Sequence, residues 1–331
     1  MTVTIGRREL LVAALGGAAA ALPLAARAQP AARPLIVFLA AGSKAANTRY
    51  YSGFPQGMRE LGYMENRDYM FEARYADGEL ARLPVLAKEL LQLKPNVILA
   101  GPTAAVVAAK QATDTIPIVG INVTDPVGFG LATSEARPGT NVTGILTRVE
   151  GLSAKQLELA QDLLPGVAKI GLLIHAGDPA SPVQQREIEA AAAKLKLNLT
   201  SVQVAAADAL EEAFETFARE RVGLVVVFGS VMFLAASRQI AAFALAARLP
   251  TICNFREHVE DGSLISYGIN LRENYRRGAY FADRILKGDK PGDLPIEFST
   301  KVELVINVAI AKALRLIIPP TLLARADEVI E

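Results

Sequence analysis

Two hydrophobic patterns take turns along this chain. Short runs that are apolar at nearly every position give way to stretches where apolar residues recur every three or four places, the strand and helix periods respectively. Leu35 to Ala40 is the first run, ending in Ala41-Gly42-Ser43. Phe54, Met58 and Leu61 then share one helix face, closed by Gly62 as a left-handed cap. Tyr69 to Tyr75 reads as a second strand, and Leu83, Leu86, Leu90 and Leu93 line a helix stopped at Lys94-Pro95. Val97 to Ala100 predicts a third strand, Thr103 to Ala112 an alanine-rich helix, and Pro117 to Ile121 a fourth strand. The segment 122–151 breaks the rhythm with five glycines and prolines at 126 and 138, around one short strand at Val142 to Ile145.

The rhythm then restarts. Ser153 and Gln156 have capping-box spacing ahead of a helix stopped by Pro165-Gly166. Lys169 to Ile174 predicts a strand, Gln184 to Leu195 a helix, and Leu199 to Val204 a strand. Asp208 and Glu211 are placed to cap a helix that carries Leu210, Phe214 and Phe217 on one face. Gly223 to Phe228, Val231 to Ala247 and Thr251 to Cys253 read as strand, helix and strand. Strands apolar throughout, alternating with helices, indicate parallel sheets covered on both faces. The pattern therefore predicts an α/β protein with two doubly wound lobes, the chain leaving the first near residues 145–152.

In such sheets ligands sit at the carboxyl ends of the strands, where loops and helix N-termini converge. That rule selects Gly42 and Ser43 after the first strand, and Thr103 and Ala104 at the start of the alanine-rich helix. Free N–H groups there suit a carboxylate, although Thr103 also reads as a simple N-cap. Asp125 follows the fourth strand, placed either to receive an ammonium group or to form a turn. In the second lobe the rule selects His175 and Ser230, with Asn254 and Tyr267 further along. Arg256 is placed to brace the hinge by pairing with Glu257 or Glu260, and His258, in a charged stretch, is expected to be solvated.

Composition narrows the function. A chain of 331 residues suits two domains of roughly 150 each. Thirty-five basic against 34 acidic residues leave a formal charge of +1, which advertises neither nucleic acid nor an anionic membrane as a partner. There is no tryptophan, so an aromatic pocket wall must use Tyr and Phe. The single cysteine, Cys253, excludes an internal disulfide and a multi-cysteine zinc site, and its apolar surroundings predict a packed thiol. No phosphate-binding glycine loop or nucleophile elbow is present: Gly128-Phe129-Gly130 is too short, and Ser230 lacks the flanking glycines. With two histidines besides, no catalytic residue, metal site or cofactor is expected.

At the N-terminus Arg7-Arg8 precede an apolar run from Leu10 to Leu22, and Ala26-Arg27-Ala28 offers small residues at a cleavage site. These are the parts of a secretory signal peptide spanning 1–28, cleaved after Ala28, and the arginine pair fits either the twin-arginine or the general secretory route. The apolar run is short of the ~20 residues a span needs. Gln29, not a cysteine, sits at the cleavage point, so a periplasmic protein without a lipid anchor or membrane span is expected.

Several segments resemble the ABC transporter substrate-binding family that includes bacterial tryptophan- and tyrosine-binding lipoproteins. They are Phe54 to Tyr63, Ile116 to Val119 leading to Thr124 to Leu131, Arg137 to Gly144, Phe255-Arg256-Glu257, Ser266-Tyr267-Gly268, and the tail from Ile317 to Glu328. The resemblance implies a type I periplasmic binding fold with a three-crossing hinge, the second and third crossings falling near Tyr267 to Ile269 and Phe298 to Thr300. Lobe 1 would then comprise 29–146 plus 268–297, and lobe 2 would comprise 147–267 plus 298–331. It further implies a small-molecule ligand (an amino acid, aromatic ones among them, or a related organic carboxylate) and ABC permease subunits with a separate ATPase as partners. A monomer is the default, and an exported ligand-sensing receptor domain of the same fold is the alternative.

Overall fold

The computed structural model describes residues 33–147, 149 and 151–331; the expected signal peptide and its cleavage site lie outside them. The chain opens with β1 (Leu35–Ala40), α1 (Lys44–Tyr51), α2 (Gly53–Glu60), β2 (Met70–Tyr75), α3 (Leu83–Gln92), β3 (Val97–Gly101), α4 (Thr103–Ala112), β4 (Ile118–Val123) and β5 (Val142–Leu146). It continues through α5 (Leu152–Leu163), β6 (Lys169–His175), α6 (Ser181–Leu195), β7 (Asn198–Val204), α7 (Leu210–Arg219), β8 (Leu224–Val227), α8 (Val231–Ala235), α9 (Ser237–Ala246), β9 (Thr251–Cys253), α10 (Arg256–Glu260) and β10 (Ile265–Ile269). It ends with α11 (Leu271–Leu286), β11 (Glu297–Phe298), β12 (Val302–Asn307), α12 (Val308–Ala313), α13 (Pro320–Leu323) and β13 (Glu328–Ile330).

Two sheets result, in the orders β11-β5-β4-β3-β1-β2 and β13-β12-β10-β9-β8-β6-β7. The chain passes between them three times, after β5, after β10 and after β11. Alternation along β1 explains the layering of the first lobe. Ile36, Phe38 and Ala40 face one core with Phe54, Met58, Tyr275 and Phe281, while Val37 and Leu39 face another with Leu83, Leu90 and Val106. Residues Ile36 to Ala41 are fully buried, as a central parallel strand requires. The edge strands β2 and β7 carry exposed polar residues, which keeps their open sides from pairing with other chains.

Strand β12 departs from the parallel rule. It pairs antiparallel with β10, Tyr267 opposite Leu304. The reason is topological: β12 enters straight from the other lobe, so it starts at the edge where β10 ends.

The helices differ from the sequence pattern at α5, at α7 and over 231–246. Helix α5 starts at Leu152 with left-handed Gly151 as its cap and no side-chain bond, so Ser153 does not form a capping box. Gln156 is drawn away instead, donating from Nε2 to the Tyr267 carbonyl and to Asn254 Oδ1. Helix α7 is capped by Ala209 without a side-chain bond, so neither Asp208 nor Glu211 serves as its cap, although Glu211 in the first turn still opposes the dipole. The stretch 231–246 breaks at Ala236 into α8 and α9. Helix α11 starts at Leu271, where Asn270 Oδ1 accepts from Glu273 N.

Candidate ligand-binding cleft

A large cavity lies between the two sheets, and both lobes supply its wall. Thr103 and Ala104 come from the start of α4, Asn122 and Thr124 from the end of β4, and Thr147 from the segment after β5. From the other sheet come His175 at the end of β6, Asp178 just beyond it, Ser230 ahead of α8, and Asn254 after β9. Tyr50, Tyr275, Phe228 and Phe255 supply the aromatic surface that a chain without tryptophan must use.

Much of the polar lining is occupied by the protein itself. Thr124 N donates to Thr103 Oγ1 at 2.9 Å, and the Thr124 and Thr147 hydroxyls bond at 2.8 Å. Asn122 Oδ1 accepts from Asn274 Nδ2 at 2.6 Å. Gln184 clamps Gly229 from both sides, accepting its N–H at 3.0 Å and donating to its carbonyl at 3.1 Å. Ser230 Oγ caps α8 by accepting from Phe233 N.

Two groups on the second lobe are less engaged. His175 is buried, and its Nδ1 has no hydrogen-bond partner. Burial holds its pKa below the usual histidine value, with nearby Asp178 opposing. Asp178 spends Oδ1 on Ala180 N at 2.9 Å, and burial raises its carboxyl against that bond and the imidazole. The turn they share is braced where Ser181 Oγ donates to the His175 carbonyl at 2.7 Å. Among the described residues no group of three His, Cys, Asp or Glu side chains is arranged to hold a metal ion.

Of the positions selected from sequence, Thr103, Ala104, His175, Ser230 and Asn254 line the cavity, whereas Gly42, Ser43, Asp125 and Tyr267 do not. Ser43 Oγ caps α1 by accepting from Ala46 N. Asp125 Oδ1 accepts from Gly128 N at 2.9 Å, a local turn that occupies one carboxylate oxygen. Tyr267 packs its ring on the second lobe's core and offers Gln156 its carbonyl. Thr103 is the first helical residue rather than the cap, which is Pro102.

Other expectations are revised outside the cavity. Arg256 pairs with Glu260, as expected, and not with Glu257; it also joins Glu303 and Glu328, tying α10 to β12 and β13. His258 is fully buried against Phe255, not solvated, because α10 turns that face inward.

The lobes also touch directly. Arg49 of α1 reaches Glu260 at 2.5 Å and Asp261 at 2.8 Å. Leu234 of α8 packs into the first lobe's core, and Val231 sits beside Gly42, where an added Cβ would stand 3.0 Å from its Cγ1.

Two α/β sheets joined by three crossings, with a shared cavity between them, define a two-lobed ligand-binding protein of the type I periplasmic class. The chain belongs to the family described as ABC transporter substrate binding protein, which it matches over residues 36–330. A tyrosine-binding protein of Clostridioides difficile is 25% identical over 262 residues, 79% of this chain and 75% of that protein. A conserved domain protein of Vibrio cholerae superposes with a TM-score of 0.85 at 26% identity, covering 89% of this chain and 99% of that one. An ABC domain of Streptococcus pneumoniae in complex with L-Trp gives 0.84 at 24% identity, covering 90% and 100%. The ligand-free, open structure of a Clostridium difficile substrate binding protein gives 0.68 at 23% identity, covering 90% and 99%. Among the described residues no helix is long and apolar enough to cross a membrane.

Proposed function

We propose that this chain is the extracytoplasmic substrate-binding component of an ABC importer, exported by the peptide at 1–28 and cleaved after Ala28. The observation that carries the reading is the cavity itself: polar groups of both sheets converge on it at the carboxyl ends of β4, β6 and β8. The cargo is an amino acid, aromatic ones among the candidates, or a related organic carboxylate; the named ligands of the Clostridioides and Streptococcus relatives support that class. The two lobes are 29–146 plus 268–297 and 147–267 plus 298–331.

The mechanism is closure without chemistry. Ligand binds one lobe, the second adds contacts available only when shut, and the population shifts to the closed form. A permease with its own ATPase subunit reads the closed monomer. Thr103, Ala104, His175, Ser230 and Asn254 contact the ligand.

Thermal-shift screening of residues 29–331 against amino acids, aromatic carboxylates, sugars and nucleosides tests this. A native-state ligand at a hundredfold excess over Kd adds about 2.7 kcal/mol of stability, which raises the melting temperature. A shift confined to one chemical class, with the compound recovered unchanged, is the expected result. Turnover of the hit would remove the non-enzymatic reading, and a sugar as sole hit would remove the amino-acid one.

A further inference from the structure

Strand β4 carries one residue more than its partner where it reaches the cavity. Ile121 stands opposite Ile145 and Val123 opposite Leu146, which leaves Asn122 over as a β-bulge. Its φ is 61, in the left-handed region that asparagine tolerates better than most residues. A bulge re-aims a side chain, and Asn122 lines the cavity. Its neighbours decide which way its amide faces. The Leu146 carbonyl can only accept, so Ser299 Oγ donates to it at 2.6 Å. With its one hydrogen spent there, that hydroxyl accepts from Asn274 Nδ2 at 2.7 Å. The second hydrogen of the same nitrogen goes to Asn122 Oδ1 at 2.6 Å. Asn274 and Ser299 are both buried, where such bonds are not readily exchanged for water.

With its oxygen engaged, Asn122 has its amide nitrogen left to offer. That nitrogen bonds no protein group, yet it is not one of the shielded polar atoms, so it keeps surface of its own on a cavity-lining residue. An amide nitrogen gives hydrogens and accepts none. We infer that Asn122 donates through Nδ2 to a carboxylate, carbonyl or hydroxyl oxygen of the ligand, and that Asn274, braced by Ser299, is the positioning residue that holds the amide in this sense. Without Asn274 the amide is free to turn over and present its oxygen, which repels the same ligand atom. Leu146 and Ser299 stand at the first and third crossings, so the hinge itself anchors the relay. The protein alone sets the donor's direction, which lowers the ordering cost of binding. This rests on the cleft being the ligand site, and it adds a specificity-determining contact that the strand-end rule did not select.

A double-mutant cycle tests the relay. The probe is the tightest-binding compound among the amino acids, aromatic carboxylates, sugars and nucleosides, with its Kd measured by calorimetry. The proteins are the wild type, Asn122→Gly, Asn122→Asp, Asn274→Asp and the double variant Asn122→Gly with Asn274→Asp. Each one's ligand-free melting temperature is recorded to establish that it folds. Glycine and aspartate both accept the left-handed backbone at position 122. Asn122→Gly should weaken binding at least about tenfold, and Asn122→Asp, which offers an oxygen in place of the donor, more than that. Asn274→Asp keeps the shape but cannot donate to Asn122. It should lose about fivefold or more alone, and nothing further in the Asn122→Gly background. Ser299→Ala, which frees the Asn274 amide to turn over, gives the same comparison where Asn274→Asp does not fold. Affinity within about twofold of wild type in folded Asn122→Gly would overturn the donor. Equal losses from the second substitution in both backgrounds, as a purely structural role predicts, would overturn the relay. The binding reading survives either result, whereas failure of the whole panel to bind the wild type would overturn both.

Discussion

At the scale of single residues, what decides a role is which neighbours have already claimed a side chain. Asp125 and Asp178 both follow strands, and both precede prolines. One folds back on Gly128, and the other lines the cavity. The strand-end rule found both neighbourhoods but cannot tell them apart, because the difference lies in backbone conformation: Asp125 has φ 46 and curls its own carboxylate onto the loop. Tyr50 and Tyr275 had no signal as wall residues, since an inward tyrosine on a helix reads as core. His258 was misplaced for a related reason, its charged neighbours describing one face of α10 and not the other.

Glu257 and His258 give that burial a measurable consequence. Burial lowers His258 to about 4 and raises Glu257 to about 7. The depressed histidine contributes stability present above its unfolded value of about 6.5, and lost as pH falls toward 4. The raised glutamic acid contributes stability present below its unfolded value near 4.5, and lost as pH rises through 7. Between pH 7 and 5 each is worth about 2 kcal/mol, with opposite sign. Urea unfolding of the wild type should therefore change little over that interval on their account. His258→Phe should gain stability on acidification, and Glu257→Gln should lose it. Parallel slopes in the two variants would refute the opposition.

At the scale of elements, the sequence pattern located most strands and helices because a central parallel strand is apolar on both faces and has no close imitator. It failed at helix ends. Gln156 had the spacing of a capping box, but two half-buried acceptors on another part of the lobe hold it instead of its own helix start. The pairing of α2 with α11 was also out of reach, because 216 positions separate contacts such as Arg276–Glu60. Gly53 and Gly57 show why those helices meet so closely. A Cβ on Gly53 would run into the Arg272 carbonyl, and one on Gly57 into that of Arg276. Gly57→Val should accordingly destabilise the protein by about 2–4 kcal/mol in a denaturant titration, despite the better helix propensity of valine. A loss under 0.5 kcal/mol would mean the helices can part without penalty.

At the scale of the molecule, the two lobes touch through Arg49 on one side and through Leu234, which packs into the first lobe's core. Arg49 is the charged element of the contact, and its partners belong to α10 and the residue after it. Exposed pairs contribute about 0.2–1 kcal/mol, so Arg49→Ala should weaken ligand binding by up to about fivefold, chiefly through faster release. Raising the salt concentration should close the gap between wild type and variant. Stopped-flow release at low and high salt checks this, and identical rates at low salt would show that the clasp does not hold the lobes together. The second and third crossings were foreseeable only through family resemblance, because a crossing leaves no periodicity of its own.

The sole cysteine, Cys253, lies on β9 with no exposed surface, and burial pushes its thiol up to about 12. At neutral pH it is neither ionised nor reachable, so alkylating dyes have no native target. A cysteine introduced on the rim of the cleft would be the one site such a dye could find. Opening and closing of the lobes can thereby be converted into an optical signal without first removing any residue of the protein.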